Sequence, residues 1–266
     1  ARENMSLSFA SGNREVLYQR YSPLPVNSGH TETISGIRDY SGNLVVEHSE
    51  SFTTGTNLDI SAPNFTSYVP AYNSTVATNT SVTWLMNEVI DPVSFSSGNF
   101  YVQDVTDGWN KVPGTIGIGS DGKTLTWVPD EALVPEHRYY AYVGNVADLS
   151  GNTNSADAFY FYSGAQADTT APVLMQTSVS EGLEGVPTNA RISLVFNEPV
   201  NKLYLDGVSL SAGDTVQNIA YSLDSSGTVL TLTPRTLLPS DSWITLKVSG
   251  LEDISGNVLA TRSEVS

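Results

Sequence analysis

"SDGKTLTWVPDEALVPEHRYYAYVGNVADLSGN", residues 120–152, holds the plan of the fold in one stretch. A Gly-centred turn opens it. "TLTWV" then alternates apolar and polar side chains, the period-two signature of a half-buried strand. Prolines surround a short loop, a second alternating strand follows, and Asp-x-Ser-Gly-Asn closes the unit. The same order returns in "SSGTVLTLTPRTLLPSDSWITLKVSGLEDISGN", residues 225–257, and in "ASGNREVLYQRYSPLPVNSGHTETISGIRDYSGN", residues 10–43. The motif glycines Gly42, Gly151 and Gly256 are therefore 109 and 105 residues apart. A catalytic motif is needed once, whereas a motif at domain spacing marks a repeated architecture.

The other half of the unit occurs twice. "DISAP" (59–63) matches "DTTAP" (168–172), and "SVTWLMNEVI" (81–90) matches "RISLVFNEPV" (191–200). The chain divides into the C-terminal half of a domain at 1–58, a domain at 59–167 and a domain at 168–266 whose last strand reads as cut short. It resembles a window on a longer array. Turns recur every 8–12 residues and no long helical period appears, so roughly seven short strands fall in each ~100-residue unit, as in a two-sheet sandwich. Asp-Gly at 121–122 and 206–207 predicts type I′ turns, with positive φ at both central residues. A half-domain exposes strand edges and apolar faces. Its missing strands belong to the same longer chain or come from a neighbouring subunit.

Composition narrows the function. The 266 residues hold 12 Lys+Arg against 28 Asp+Glu, a net charge of −16. Such a surface repels phosphate backbones and excludes general nucleic-acid binding, while it attracts cations. Hydrophobic content of 39% is enough for packed cores. There is no cysteine, hence no disulfide, thiolate metal site or cysteine nucleophile. No apolar run approaches the ~18 residues of a membrane span. "ARENMSLSFASGN" lacks the hydrophobic stretch of a signal peptide.

The ordered set Asp-x-x-Ala-Pro, a strand ending "FNEPV", "LTLTP…LLP" and "LEDISGN" resembles the bacterial Ig-like domains of S-layer proteins, adhesins and multidomain secreted enzymes. The resemblance covers essentially the whole chain. It implies tandem Ig-like Greek-key β-sandwiches in an elongated, all-β array that spaces or displays rather than catalyses. "MNEVI" departs from the pattern, its proline arriving only at Pro92, which predicts a slightly shifted strand end.

Two readings of Asp-x-Ser-Gly-Asn compete. As a turn, Asp bonds the backbone two residues on and Gly supplies a left-handed residue; as a cation site, its oxygens ligate. Three copies at one repeat position favour the turn. The linkers "TNLDISAP" and "AQADTTAP" are short, and Ala-Pro restricts them to extended geometry. Asp59 and Asp168 lie in these linkers, Glu88 and Glu198 at an early strand end, and Asp148, like its counterpart Asp39, in the turn near the end of the preceding domain. Carboxylates meeting at a junction would suit Ca²⁺, and the resemblance implies calcium-stiffened junctions.

No enzyme signature emerges. His30, His48 and His137 have no paired metal spacing, no Gly-x-Ser-x-Gly elbow is present, and Glu131 and Glu136 read as loop solvation because the last repeat lacks the pair. In "RYYAY" and "FYFY" alternate aromatics face core and solvent. Trp109, in the turn "TDGWNK", is the candidate ligand-contacting aromatic. The expectation is a non-catalytic stalk, filament or lattice segment of an extracellular or cell-surface protein. Its partners are neighbouring Ig-like domains of the same chain or of adjacent subunits. The alternatives are a glycan- or protein-binding adhesin module and accessory domains of a secreted hydrolase.

Overall fold

A computed structural model describes residues 5–10, 14–259 and 263–265. It divides into two compact units, residues 1–60 and 61–266.

The first unit contains two hairpins: β1 (Met5–Ala10) with β2 (Glu15–Arg20), and β3 (Gly29–Ile34) with β4 (His48–Thr53). Leu7 and Phe9 are exposed. Shifted by one repeat, the paired residues Glu32 and Glu50 correspond to the paired core residues Ala141 and Phe159 of the next domain. The β3–β4 face thus carries charge where the complete domain carries core.

The second unit holds two sandwiches. The first is built from β5 (Phe65–Val69), β6 (Thr75–Val76), β7 (Val82–Met86), β8 (Phe100–Asp104), β9 (Asn110–Lys111), β10 (Gly114–Ile118), β11 (Thr124–Pro129), β12 (Arg138–Val143) and β13 (Asp157–Ser163). Its sheets run β10-β11-β7-β5 and β6-β13-β12-β8-β9. The chain changes sheet at β5–β6, β6–β7, β7–β8, β9–β10 and β11–β12, which gives the Greek-key order of an Ig-like domain. The next sandwich uses β14 (Leu174–Thr177), β15 (Ile192–Phe196), β16 (Val208–Ala212), β17 (Thr215–Val216), β18 (Ile219–Leu223), β19 (Val229–Pro234), β20 (Thr245–Val248) and β21 (Ser263–Val265). Its sheets run β14-β15-β19-β18 and β17-β16-β20-β21. The closing strand β21 is present, three residues long against seven in β13.

Each core follows from alternation. In β12, Tyr139, Ala141 and Val143 are buried while Arg138, Tyr140 and Tyr142 face outward. Trp84 and Trp127 fill the centre of the first sandwich, with Trp84 against Phe65, Tyr68 and Phe159 at 5.1–5.2 Å between ring centroids. Gly114 exists for Trp127: a β-carbon there would lie 2.3 Å from the indole nitrogen. The following domain solves the same volume differently, with Ile219 and Leu232 at the two positions.

Two local expectations change. At Asp121-Gly122 only Gly122 has positive φ, and Gly207 has none, so neither is a type I′ turn. Asp121 instead accepts the Lys123 and Thr124 N–H groups and the Thr124 hydroxyl, bonds that hold a wider turn ending in left-handed Gly122. The strand before "NEVI" is not shifted. β7 ends at Met86 and β15 at Phe196, each followed by an Asn whose side-chain oxygen accepts the N–H of Asn64 or Val173. The displaced proline instead starts a 3₁₀ turn, Pro92–Ser94, capped by Asp91.

Candidate functional site

The site begins with the repeated turn. In all three copies one Asp oxygen accepts two backbone N–H groups, from Ser41 and Asn43 at 2.8 Å each, from Ser150 and Asn152 at 2.7 and 3.0 Å, and from Ser255 and Asn257 at 2.7 and 3.0 Å. The other oxygen accepts the Asn side-chain amide at 2.8 Å each time. The glycines sit at φ 85–87°, a region that side chains disfavour. This is the turn that three copies at one repeat position predicted. The bonds to Asn43 hold the Asp39 carboxyl below the usual carboxylate range. At Asp148 burial works the other way and is outweighed by the bonds from Asn152 and Ser150, so its pKa also falls.

The turn of the last domain does a second thing. Its Ile254 packs against the core of the preceding sandwich, and Ser81 N–H donates to the Ile254 carbonyl at 3.3 Å. The linker is held from both sides. Asn79 clamps the Asp168 backbone, donating to its carbonyl at 2.7 Å and accepting from its N–H at 2.9 Å. Asn257 donates to the same carbonyl at 3.1 Å. Thr126 and Tyr204 hydroxyls meet at 3.3 Å across the junction.

Around this clamp three carboxylates converge. Asp168, Glu198 and Asp253 present oxygens within 4.8 Å of one another. Asp168 comes from the linker, Glu198 from the residues after β15, and Asp253 from the turn. Desolvation raises the Glu198 pKa, and the Asp168 and Asp253 charges raise it further. Glu252 is raised too, by burial and then by Asp253. The donor set is all carboxylate oxygen, which suits a hard divalent cation and no soft metal.

The structure brings the linker acid Asp168 and the strand-end acid Glu198 together and sets a turn acid beside them. Asp148, in the preceding domain, does not join Asp168 and Glu198; Asp253 of the following domain takes that place. The turn lies at the end of the sandwich where its own linker enters, not where the next one leaves. Glu88 and Asp148 hold in the first sandwich the places of Glu198 and Asp253, with Asp148 bridged to Ile90 and almost fully buried. Asp59, the counterpart of Asp168, is exposed in the first unit. Asn79, Asn257 and Ile254 were missed. Their one sequence signal was position: Asn79 and Asn189 share a Thr-Asn pair, and Ile254 lies inside the repeated motif.

The remaining candidates fall elsewhere. His137 Nδ1 meets the buried Asp104 carboxylate at 2.7 Å, and His48 Nε2 meets Glu50 at 3.0 Å on an exposed strand. Asp104 also accepts the Thr106 and Asp107 N–H groups, so it builds the turn that carries Trp109. Trp109 is 46% exposed, with φ +66°.

Comparison with known proteins agrees with the repeat. An S-layer protein of Geobacillus stearothermophilus is 26% identical over 189 residues, covering 66% of this chain and 15% of that protein. The chain thus spans a small part of that relative. Among solved structures, the N-terminal part of the bacterial S-layer protein SbsC aligns over 77% of this chain and 44% of its own, at 13% identity and TM-score 0.32. PcoC, a methionine-rich copper resistance protein from Escherichia coli, aligns over 39% of this chain and 99% of its own, at 19% identity and TM-score 0.34. The bacterial Ig-like domain model matches residues 59–163 and again 168–266. The chain belongs to the bacterial Ig-like domain family, of which it carries two successive copies.

Proposed function

We propose that this chain is a non-catalytic spacing segment of a cell-surface or secreted protein, and that its domain junction is fixed by calcium. The observation that supports it best is the junction at Asp168. Residues of both domains grip one linker peptide, and a turn of one packs on the core of the other. A flexible tether has no use for such contacts; a spacer that holds its load at a set angle does. The S-layer relative supports placement at the cell surface, as part of a lattice, stalk or filament.

Asp168, Glu198 and Asp253 would hold the cation, and its charge would offset the burial and the repulsion from Asp168 and Asp253 that together raise Glu198. The test is thermal unfolding of the full chain in calcium, in magnesium and in chelator. A ligand that binds only the folded state stabilises it by about 2.7 kcal/mol at a hundredfold excess over its Kd. We expect calcium to raise the Tm by several degrees, and the D168N/E198Q double variant to lose the rise that Asp168, Glu198 and Asp253 produce. The same rise in that variant, or none in the wild type at millimolar calcium, removes calcium from the account and leaves the clamp alone.

A further inference from the structure

The outer face of the β6-β13-β12-β8-β9 sheet is aromatic. Tyr101 and Tyr142 stack at 4.9 Å between centroids, Tyr140 meets Tyr160 at 5.2 Å, and Tyr140 and Tyr142 lie 6.5 Å apart along β12. Trp109 stands edge-on to Tyr140 at 5.4 Å and to Tyr160 at 6.4 Å. The tyrosines lie on three adjacent strands, β13, β12 and β8, about 10 Å at the usual spacing of ~4.8 Å, and Trp109 joins them from the turn before β9.

Neither neighbouring repeat has it. At the positions of Tyr140, Tyr142, Tyr160 and Tyr162 the first unit has Thr31, Thr33, Ser51 and Thr53, on strands of the same pairing. The last domain has Ser209, Thr245 and Lys247 where this one has Tyr101, Tyr140 and Tyr142. Stability of the fold therefore does not require aromatic side chains on this face. Fixing Trp109 there also costs backbone energy. It follows Gly108 as a second residue in the left-handed region, rare for a bulky side chain, and Gln103 holds its carbonyl at 2.8 Å.

Charge identifies the occupant. In a chain of net charge −16, the stripe is bordered by two cations. Lys111 lies 3.9 Å over the Tyr101 ring at one edge, and Arg138 lies 3.9 Å over the Tyr160 ring at the other. Arg138 makes no ion pair among the described residues, and its Nε is buried without a hydrogen-bond partner. A second copy of this acidic chain is a poor match for such a face. Aromatic faces and tyrosine hydroxyls suit the C–H faces and hydroxyls of pyranose rings, and the flanking cations suit carboxylates carried on those rings. We propose that this face binds a linear acidic glycan, a polymer of sugar acids laid across the strands. The proposal is independent of the spacing role and of calcium.

The test is calorimetric titration of the full chain, in chelator, with polygalacturonate oligomers and with their methyl esters, which keep the rings and lose the charge. The acid form should bind more tightly than the ester. Tyr142→Thr with Tyr160→Ser, the residues of the first unit, should weaken binding at least tenfold while the chain remains folded by circular dichroism. Trp109→Ala, in a solvent-facing turn, provides the second variant if that pair unfolds, with a severalfold loss. Arg138→Gln with Lys111→Gln should bring the acid form to the affinity of the ester. No binding of either form at millimolar concentration overturns the proposal. So does equal binding of both forms by the wild type, or unchanged affinity in the tyrosine variant. Self-association of the chain that the tyrosine variant abolishes also overturns it, and assigns the face to a second copy.

Discussion

Single residues carry much of the specification. Gly114 is glycine because Trp127 occupies the space of its side chain. Gly114→Ala should cost about 1–3 kcal/mol through overpacking, measured by denaturant unfolding. The double variant Gly114→Ile, Trp127→Leu imports the pair found at Ile219 and Leu232, and should recover part of that loss; simple additivity of the two single costs would sink this account of the core. Glu198 makes a prediction of opposite sign. Its folded pKa is raised by burial and by Asp168 and Asp253, so the folded state holds its proton more firmly than the unfolded chain does. The stability linked to that proton is present below the ordinary Glu pKa and is lost as pH rises through the raised value. Without divalent cations, Glu198→Gln should therefore stabilise the protein at pH 7, by less than ~1 kcal/mol after solvent screening, and have little effect near pH 3. A destabilised variant at pH 7 in chelator would show that the acids do not repel. The lowered Asp39 and Asp148 act in the other direction, stabilising above the ordinary Asp pKa and losing that effect as pH falls through their lowered values.

Among the elements, the Asp-x-Ser-Gly-Asn turn is the most informative. In the middle copy Asp148 is buried and accepts three hydrogen bonds, so Asp148→Ala leaves the Ser150 and Asn152 N–H groups to find other partners. The loss should be about 1–3 kcal/mol, read from the denaturation midpoint; the equivalent Asp39→Ala, fully exposed, should cost much less. The strands and this turn were legible because period-two alternation and Asn/Asp/Gly chemistry are local. The type of the Asp-Gly turns was not, since Asp121 spends its oxygens on Lys123 and Thr124 and fixes a wider loop than the dipeptide alone predicts. The acidic site was half legible for a related reason. Composition and spacing marked Asp168 and Glu198, but which turn lies beside the linker depends on the direction in which the sandwich is entered. That is a property of the whole topology, so Asp253 was passed over for Asp148. Glu32 and Glu50 make the same point: on sequence alone β3 reads as a repeat of β12, and only the register places two acids on the core-facing side.

For the molecule as a whole, the account rests on residues 61–266 behaving as one body. Two sandwiches with separate cores are joined through one peptide, Asp168, held by Asn79 and Asn257, and by Ile254 seated on the neighbouring core. Removing the linker grip with Asn79→Ala and Asn257→Ala, and the docking contact with Ile254→Ser, should leave both sandwiches folded and free the angle between them, because the fully buried side chains of both cores are untouched. The most direct test is backbone ¹⁵N relaxation of the full chain, comparing the rotational diffusion of residues 61–163 with that of residues 168–259. One shared diffusion tensor in the wild type, resolving into two in the Asn79→Ala, Asn257→Ala, Ile254→Ser variant, is the predicted result. Two independent tensors in the wild type would contradict the claim that this junction holds its domains at a fixed angle.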